Sequence, residues 1–157
     1  MKIQFWSVGK AHENYVKEGI DLFTKRIAHY YPVEWKLIAT PKALASANVN
    51  EVKKAEGEKI LQLLKPEDAL FVLDERGKEF TSDGLANLIQ AKANESIKNL
   101  VFLIGGAYGT DKMILQRASL QWSLSKLVLP HQLVRLILAE QVYRACTILR
   151  NEKYHHC

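Results

Sequence analysis

The chain has 157 residues, of which 48% are hydrophobic and 25% are charged, and its formal net charge is +5 at pH 7. This length and composition suit one compact globular domain over residues 1–157 and exclude a collagen-like or disordered chain. Because it has only two cysteines, no signal-peptide pattern and no apolar run near the ~20 residues that cross a bilayer, we expect a cytoplasmic protein.

The first half of the sequence predicts two strands and two helices. Lys2 to Val8 is rich in strand formers, and Val33 to Ala39 predicts the second strand. Between them, apolar residues at three- and four-residue spacing predict a helix that Asn14 caps and that runs to about Tyr30. The polar, alanine-rich segment Thr40–Asn50 is the predicted mobile loop, and Glu51 to Leu64 predicts the second helix.

The second half repeats the alternation with more apolar strands. Ala69 to Leu73 and Leu100 to Ile104 predict buried strands, and Asp74 to Lys78 predicts a charged turn. The other predicted elements are a helix from Thr81 or Ser82 to about Ala93, a short helix from the cap Asp111 to about Arg117, a strand-and-loop segment from Trp122 to Leu129, and a helix from Pro130 to about Arg150. Alternating strands and helices of this kind predict an α/β sandwich with a mostly parallel sheet.

Two loops after the late strands are candidates for ligand binding. Gly105, Gly106 and Gly109 follow a strand and precede a helix, where backbone N–H groups can approach a ligand. An ordinary strand-to-helix turn explains them equally well, and no dinucleotide or P-loop motif is present. The segment Ser123–Leu129 can present backbone groups to an adenine edge, or it is an edge strand with a solvated lysine.

The last helix and the tail carry the remaining candidates. The helix is apolar on more than one side, which predicts burial or an oligomer interface and so indicates a dimer. Arg144 either forms a surface ion pair with Glu140, four residues earlier, or faces a polar pocket and contacts a substrate oxygen. His131, in the first turn, is by default a surface or core histidine. The terminal Tyr154–Cys157 is either a loose tail or part of a site, and its spacing does not suit a metal.

Five motifs in one order connect these candidates. They are Phe71–Lys78 (FVLDERGK), Phe102–Gly109 (FLIGGAYG), Ser123–Gln132 (SLSKLVLPHQ), Glu140–Ala145 (EQVYRA) and Tyr154–His156 (YHH). Together they resemble the family of ribosomal RNA large-subunit methyltransferase H. The resemblance implies an S-adenosylmethionine-dependent enzyme that methylates N-3 of a pseudouridine in large-subunit ribosomal RNA. It also implies a SPOUT-type fold with a C-terminal trefoil knot and a homodimer with active sites at or near the subunit interface.

The resemblance also implies roles for individual residues. The residues implied to contact S-adenosylmethionine are Leu73, Gly105, Leu124, Ser125, Lys126, Leu127, Val128 and Leu129. The implied catalytic and substrate-binding residues are Arg144, Tyr154 and His155. In this hypothesis the tail closes over the base, His155 accepts the proton from the nitrogen, Tyr154 stacks on or hydrogen-bonds the base, and Arg144 stabilises negative charge on its carbonyl oxygens. No metal is expected.

Three rival functions remain open at this point. The first is a non-catalytic ribosome or RNA-binding factor, which needs no cofactor pocket. The second is a nucleotide-dependent enzyme acting on a small metabolite, although the glycine fingerprint with its downstream acidic residue is missing. The third is a SPOUT methyltransferase with another RNA target. The modest positive charge suits an RNA partner but is also common among small proteins.

Overall fold

The computed structural model of the chain describes residues 1–41 and 48–156, so residues 42–47 of the predicted loop and Cys157 lie outside it. Strands and helices alternate along the described chain. In order they are β1 (Lys2–Val8), α1 (Asn14–Ile27), β2 (Val33–Ile38), α2 (Val49–Leu63), β3 (Ala69–Lys78), α3 (Ser82–Asn94), β4 (Asn99–Ile104), α4 (Lys112–Arg117), β5 (Leu120–Trp122) and α5 (His131–Leu149).

The five strands form one sheet in the order β2-β1-β4-β3-β5. Each pair of neighbouring strands is parallel, which confirms the predicted α/β architecture with a parallel sheet. Because parallel strands end at the same edge of a sheet, the loops that follow β3, β4 and β5 emerge together. This edge is where the candidate site lies.

Helices cover both faces of the sheet. Successive strand residues point to opposite faces. On one face, Phe5, Phe71 and Phe102 pack against buried residues of α1, α3 and α5. On the other face, Trp6 and Leu103 pack against α2 and α4. The central strands are therefore buried on both sides, which explains why their sequences are apolar runs rather than alternating patterns.

The charged segment Asp74–Lys78 is the second half of β3, so its prediction as a turn was wrong. Lys78 pairs with Trp122 of β5 after a shift in register. Gly77 lies so close to Gln121 that a Cβ atom there would come within 2.5 Å of that residue's carbonyl group. The segment is extended because β5 pairs with it, and this long-range pairing outweighs its charged composition.

The predicted ends of α1 and α2 differ from the observed ones by a few residues. Glu13 occupies the N-cap of α1 and makes no side-chain cap hydrogen bond, so the predicted Asn14 cap was wrong. The helix ends before Tyr30, whose N–H bonds to the carbonyl three residues back in a tighter turn. The second helix starts earlier than predicted because Asn48 caps it, accepting from the Glu51 N–H at 2.9 Å.

The last helix confirms the prediction that it is buried. It starts at His131, directly after Pro130, and its buried residues include Leu138 and Val142. The side chain of Arg135 is also buried, and its Nε donates to the hydroxyl of Ser7 at 2.9 Å. Among the described residues, no helix combines the length and the apolar character needed to cross a membrane.

Candidate active site

Three strands end side by side at the edge that carries the candidate site. Leu73 of β3 is in register with Ile104 of β4 on one side and with Trp122 of β5 on the other. The glycine loop follows β4, and the serine- and leucine-rich segment follows β5. Both loops predicted to bind a ligand therefore start from the same level of the sheet.

Between these loops lies a cavity of about 480 Å³. That volume is within the range of roughly 300–1,000 Å³ typical of small-molecule sites. The cavity is lined by seven of the eight residues predicted to contact the cofactor, namely Leu73, Gly105, Leu124, Ser125, Leu127, Val128 and Leu129. The eighth, Lys126, is exposed and does not line it. The structure thus brings the predicted cofactor residues together, apart from one.

The glycine loop needs glycine at two of its positions. A Cβ atom on Gly105 would overlap the hydroxyl oxygen of Thr110. Gly109 has a φ of +90°, a conformation that side chains rarely adopt, and its N–H donates to the Gly106 carbonyl at 3.0 Å. The loop is therefore a tight turn, and it is also one wall of the cavity. The two interpretations of the glycines are compatible.

The segment after β5 is an irregular loop rather than an edge strand, because β5 ends at Trp122. Two serines fix its shape. The Ser123 hydroxyl donates to the Ser125 carbonyl at 2.9 Å, and the Ser125 hydroxyl accepts from the N–H of Leu127 at 3.0 Å. Leu127 and Val128 are 72% and 82% exposed at the mouth of the cavity. The alternative of an edge strand was wrong for this segment.

Charged and ionisable groups surround the cavity. Asp74 accepts from the guanidinium of Arg76 at 2.9 and 3.1 Å, and these hydrogen bonds hold the pKa of its carboxyl below the usual value. At the opposite wall, partial burial and the nearby Arg135 cation lower the pKa of His131. At neutral pH the cavity therefore has an ionised carboxylate on one side and a neutral imidazole on the other.

The three predicted catalytic residues form a second cluster with Glu140. The Arg144 Nη2 and Nε atoms donate to Glu140 Oε1 at 2.6 and 3.0 Å, and the Tyr154 hydroxyl donates to the same oxygen at 3.0 Å. The guanidinium carbon of Arg144 lies 4.7 Å from the Tyr154 ring centre. Burial and Glu140 raise the pKa of Tyr154, so the phenol stays protonated at neutral pH.

His155 joins this cluster through one ring nitrogen only. Its Nδ1 lies 3.3 Å from Nη1 of Arg144. Its Nε2 is buried and makes no hydrogen bond within the described part of the chain, and the Asp83 carboxylate is 3.7 Å away. An unsatisfied buried nitrogen is unfavourable, and such groups are concentrated where a ligand or a further partner binds.

The cavity and the catalytic cluster are separate within one chain. His131 lines the cavity, and Arg144 comes thirteen residues later on the same helix. At about 1.5 Å of rise per residue, this places them about 20 Å apart along the axis. Neither Arg144, Tyr154 nor His155 lines the cavity. One chain therefore presents two distinct sets of functional groups.

Comparison with known proteins identifies the relatives of this chain. The family described as "Predicted SPOUT methyltransferase" matches residues 1–155. The chain belongs to the SPOUT methyltransferase family. It is similar to "Ribosomal RNA large subunit methyltransferase H" of Cytophaga hutchinsonii, at 46% identity over 99% of this chain and all of that protein. It is also similar to the proteins of the same name from Parabacteroides distasonis and Christiangramia forsetii, at 43% and 39% identity over 99% of each chain.

Several residues of this SPOUT family member were missed at the cavity and in the cluster. Asp74 and Arg76 were assigned to a turn, so their position beside the cavity was not anticipated. Glu140 was considered only as the partner in a surface ion pair, although its spacing to Arg144 was the available signal. His131, taken by default as a surface or core residue, lines the cavity. Within residues 1–41 and 48–156, no group of three or more His, Cys, Asp or Glu is placed to hold a metal.

Proposed function

We propose that this protein transfers a methyl group from S-adenosylmethionine to N-3 of a pseudouridine in large-subunit ribosomal RNA. The observation that carries the proposal is the pairing of a ligand-sized cavity at the carboxyl edge of the sheet with a separate Glu140–Arg144–Tyr154–His155 cluster. Relatives that match along the whole chain are named for methylation of large-subunit ribosomal RNA. In this proposal the single domain is the entire enzyme, no metal takes part, and the predicted C-terminal knot forms the cavity.

The cavity has the chemistry that S-adenosylmethionine requires. Leu73 and Leu129 offer apolar surface for a purine ring, while the glycine loop brings backbone groups close. The ionised Asp74 and the neighbouring Glu75 suit a ligand that carries positive charge. When bound, this cofactor supplies an electrophilic methyl group on a sulfonium. The protein's task is to hold it against the base and to exclude water.

We propose a homodimer in which the catalytic cluster of one subunit completes the cavity of the other. A tail about 20 Å from its own cavity cannot act there, whereas a two-fold axis can bring two different surfaces together at both sites. The exposed Leu127 and Val128 beside the cavity provide apolar surface that a second subunit would cover. The buried and unsatisfied Nε2 of His155 would then acquire its partner at the completed site.

The hydrogen bond between Arg144 and His155 determines when His155 can act as a base. A guanidinium only donates hydrogen bonds, so Nδ1 of His155 must be the acceptor and the proton of the neutral ring lies on Nε2. In this state the imidazole has no free lone pair. If Arg144 turns to the carbonyl oxygens of a bound base, Nδ1 becomes available to accept the N-3 proton. Substrate binding would thereby create the base.

Tyr154 has a different role in this proposal. Because its hydroxyl is protonated and donates to Glu140, its ring is held beside Arg144 with the phenol oriented. Such a ring can stack on an unpaired base, which is the usual way proteins bind exposed RNA bases. Tyr154 would therefore position the base, while His155 receives the proton.

We further propose that the substrate is an assembled large subunit or ribosome in the cytoplasm. A net charge of +5 provides few phosphate contacts, and RNA affinity falls steeply with salt when such contacts are its main source. A shaped ribosomal surface would supply the additional contacts. Efficient methylation of a short isolated hairpin would contradict this part of the proposal.

Mass spectrometry of large-subunit RNA from cells with and without the gene tests the reaction directly. We expect one pseudouridine to lose its N-3 methyl group when the gene is removed. Deleting Tyr154–Cys157 should abolish turnover and leave S-adenosylmethionine binding nearly unchanged, as measured by calorimetry. Normal turnover by the truncated protein would refute the catalytic assignment. Failure to bind S-adenosylmethionine would instead favour a non-catalytic RNA-binding factor.

A further inference from the structure

The chain reverses direction directly after α5 through a defined helix-ending motif. The N–H of Asn151 donates to the Ile148 carbonyl at 3.1 Å, and the N–H of Glu152 donates to the Thr147 carbonyl at 2.9 Å. Asn151 itself has a φ of 57°, in the left-handed region. These two hydrogen bonds and this conformation define a Schellman motif. The tail, residues 151–156, is therefore turned back along α5 rather than projecting from its end.

A side chain from a distant part of the sequence holds this turn. Tyr30, just after α1, donates its hydroxyl hydrogen to Oε2 of Glu152 at 2.7 Å. Burial and this hydrogen bond raise the pKa of Tyr30 to about 12, so the phenol remains a donor over the physiological range. The guanidinium carbon of Arg150 lies 5.9 Å from the centre of the Tyr30 ring. The first residue after the turn is thus fastened to the end of α1.

An aromatic contact continues from this point to the catalytic cluster. The Tyr143 ring centre lies 6.4 Å from that of Tyr30 and 4.7 Å from that of Tyr154. Tyr143 therefore stands between the fastened turn and the ring proposed to hold the base. Of this group, Tyr30 and Asn151 contact none of the four side chains of the catalytic cluster in the interactions described above.

We infer that Tyr30, Asn151 and Glu152 form a tail anchor that positions Tyr154 and His155 for methyl transfer. This inference rests on the proposed function, because it assigns these residues to the same catalytic tail. Chain termini are usually mobile. A base and a stacking ring located three to four residues after the helix end can act only if the segment between them and the helix is fixed. The tail anchor fixes it before substrate binds.

The substitution Tyr30→Phe isolates the anchor because it removes one hydroxyl and keeps the ring. Hydrogen bonds to charged groups are worth a factor of ten or more, and this one is partly exposed, so we expect about a tenfold decrease in the ratio of ordered to mobile tail. Hydrogen–deuterium exchange of the tail amides should accelerate by about that factor. With assembled large subunits as substrate, kcat should fall by up to about tenfold, while the Kd for S-adenosylmethionine stays unchanged.

A matched pair at position 151 supplies the control. Asn151→Gly tolerates the left-handed conformation, so tail exchange and kcat should stay close to those of the unmodified protein. Asn151→Ala is strained there and should accelerate exchange and lower kcat by about fivefold. Unchanged tail exchange in Tyr30→Phe would overturn the anchor, whether or not the protein is active. Faster exchange with an unchanged kcat would overturn the positioning role.

The same design separates this inference from the proposed function. If the unmodified protein transferred no methyl group to large subunits, the proposed function would fail. The exchange measurements would then still decide whether Tyr30 and Asn151 order the tail.

Discussion

Mixing two inactive variants tests whether each active site is shared between subunits. The first variant, Arg144→Ala, removes a group of the catalytic cluster and leaves the cavity intact. The second, Gly105→Val, fills the glycine loop where even a Cβ atom overlaps Thr110. Because the two groups lie about 20 Å apart along α5, neither substitution should affect the other half directly.

The expected activity follows from the geometry of a two-fold dimer. Random exchange of equal amounts gives about half heterodimers, and in each of these one site combines an intact cavity with an intact cluster. The mixture should therefore recover about a quarter of the activity of the unmodified protein. If each site used only residues of one chain, every site would carry one defect and the mixture would stay inactive.

The assay is methyl transfer from labelled S-adenosylmethionine to isolated large subunits after the subunits have been exchanged. A second mixture provides the control, in which unmodified protein is combined with the double variant Arg144→Ala/Gly105→Val. Shared sites predict about a quarter of full activity for this mixture, and unshared sites predict about a half. No recovery in the first mixture together with half activity in the second would refute the shared site.

Three other predictions concern binding, pH and stability. Gly105→Ala should weaken S-adenosylmethionine binding by about 1–3 kcal/mol in calorimetry, the usual cost of overpacking, and adding Thr110→Ala should restore part of it because the overlapped oxygen is gone; an unaffected single variant would contradict the tight loop. Burial lowers the pKa of His12 and His131 below 6.5, so their contribution to stability is complete above pH 6.5 and is lost as the pH falls below it. Denaturant unfolding should show a smaller loss between pH 7.5 and pH 5.5 in His12→Asn/His131→Gln, and an equal loss in both proteins would show that other groups are responsible. Thr81→Ala should lower the free energy of unfolding by about 1 kcal/mol, because its hydroxyl caps α3, whereas Thr81→Ser should not, and equal stability of all three proteins would exclude the cap.

Local sequence patterns predicted most of the fold and failed where long-range pairing decides structure. The strands Lys2–Val8 and Leu100–Ile104 were predicted within one residue at either end, because apolar runs and flanking breakers mark them. The segment Asp74–Lys78 was not, since its extended form depends on β5, more than forty residues later. The short strand β5 itself was partly placed in the following loop.

The site shows the same division between local and distant information. The glycine loop and the segment Leu124–Leu129 were identified as ligand-binding candidates, and the structure places them around one cavity. The position of the tail was not predictable from the residues alone. Its turn depends on a left-handed Asn151, and its attachment depends on Tyr30, more than 120 residues earlier. Neither contact leaves a periodic pattern in the sequence.

Glu140 reconciles the two interpretations of Arg144. The surface ion pair exists, since Arg144 donates twice to Glu140. The same carboxylate oxygen also accepts from Tyr154, so the pair orients a residue of the proposed site instead of merely stabilising a helix surface. A guanidinium with its Nε edge occupied by Glu140 can still turn its other amino group, now on His155, toward a substrate oxygen. An ion pair that sequence spacing explains as structural is thus also the element that would aim the cation at the reacting base.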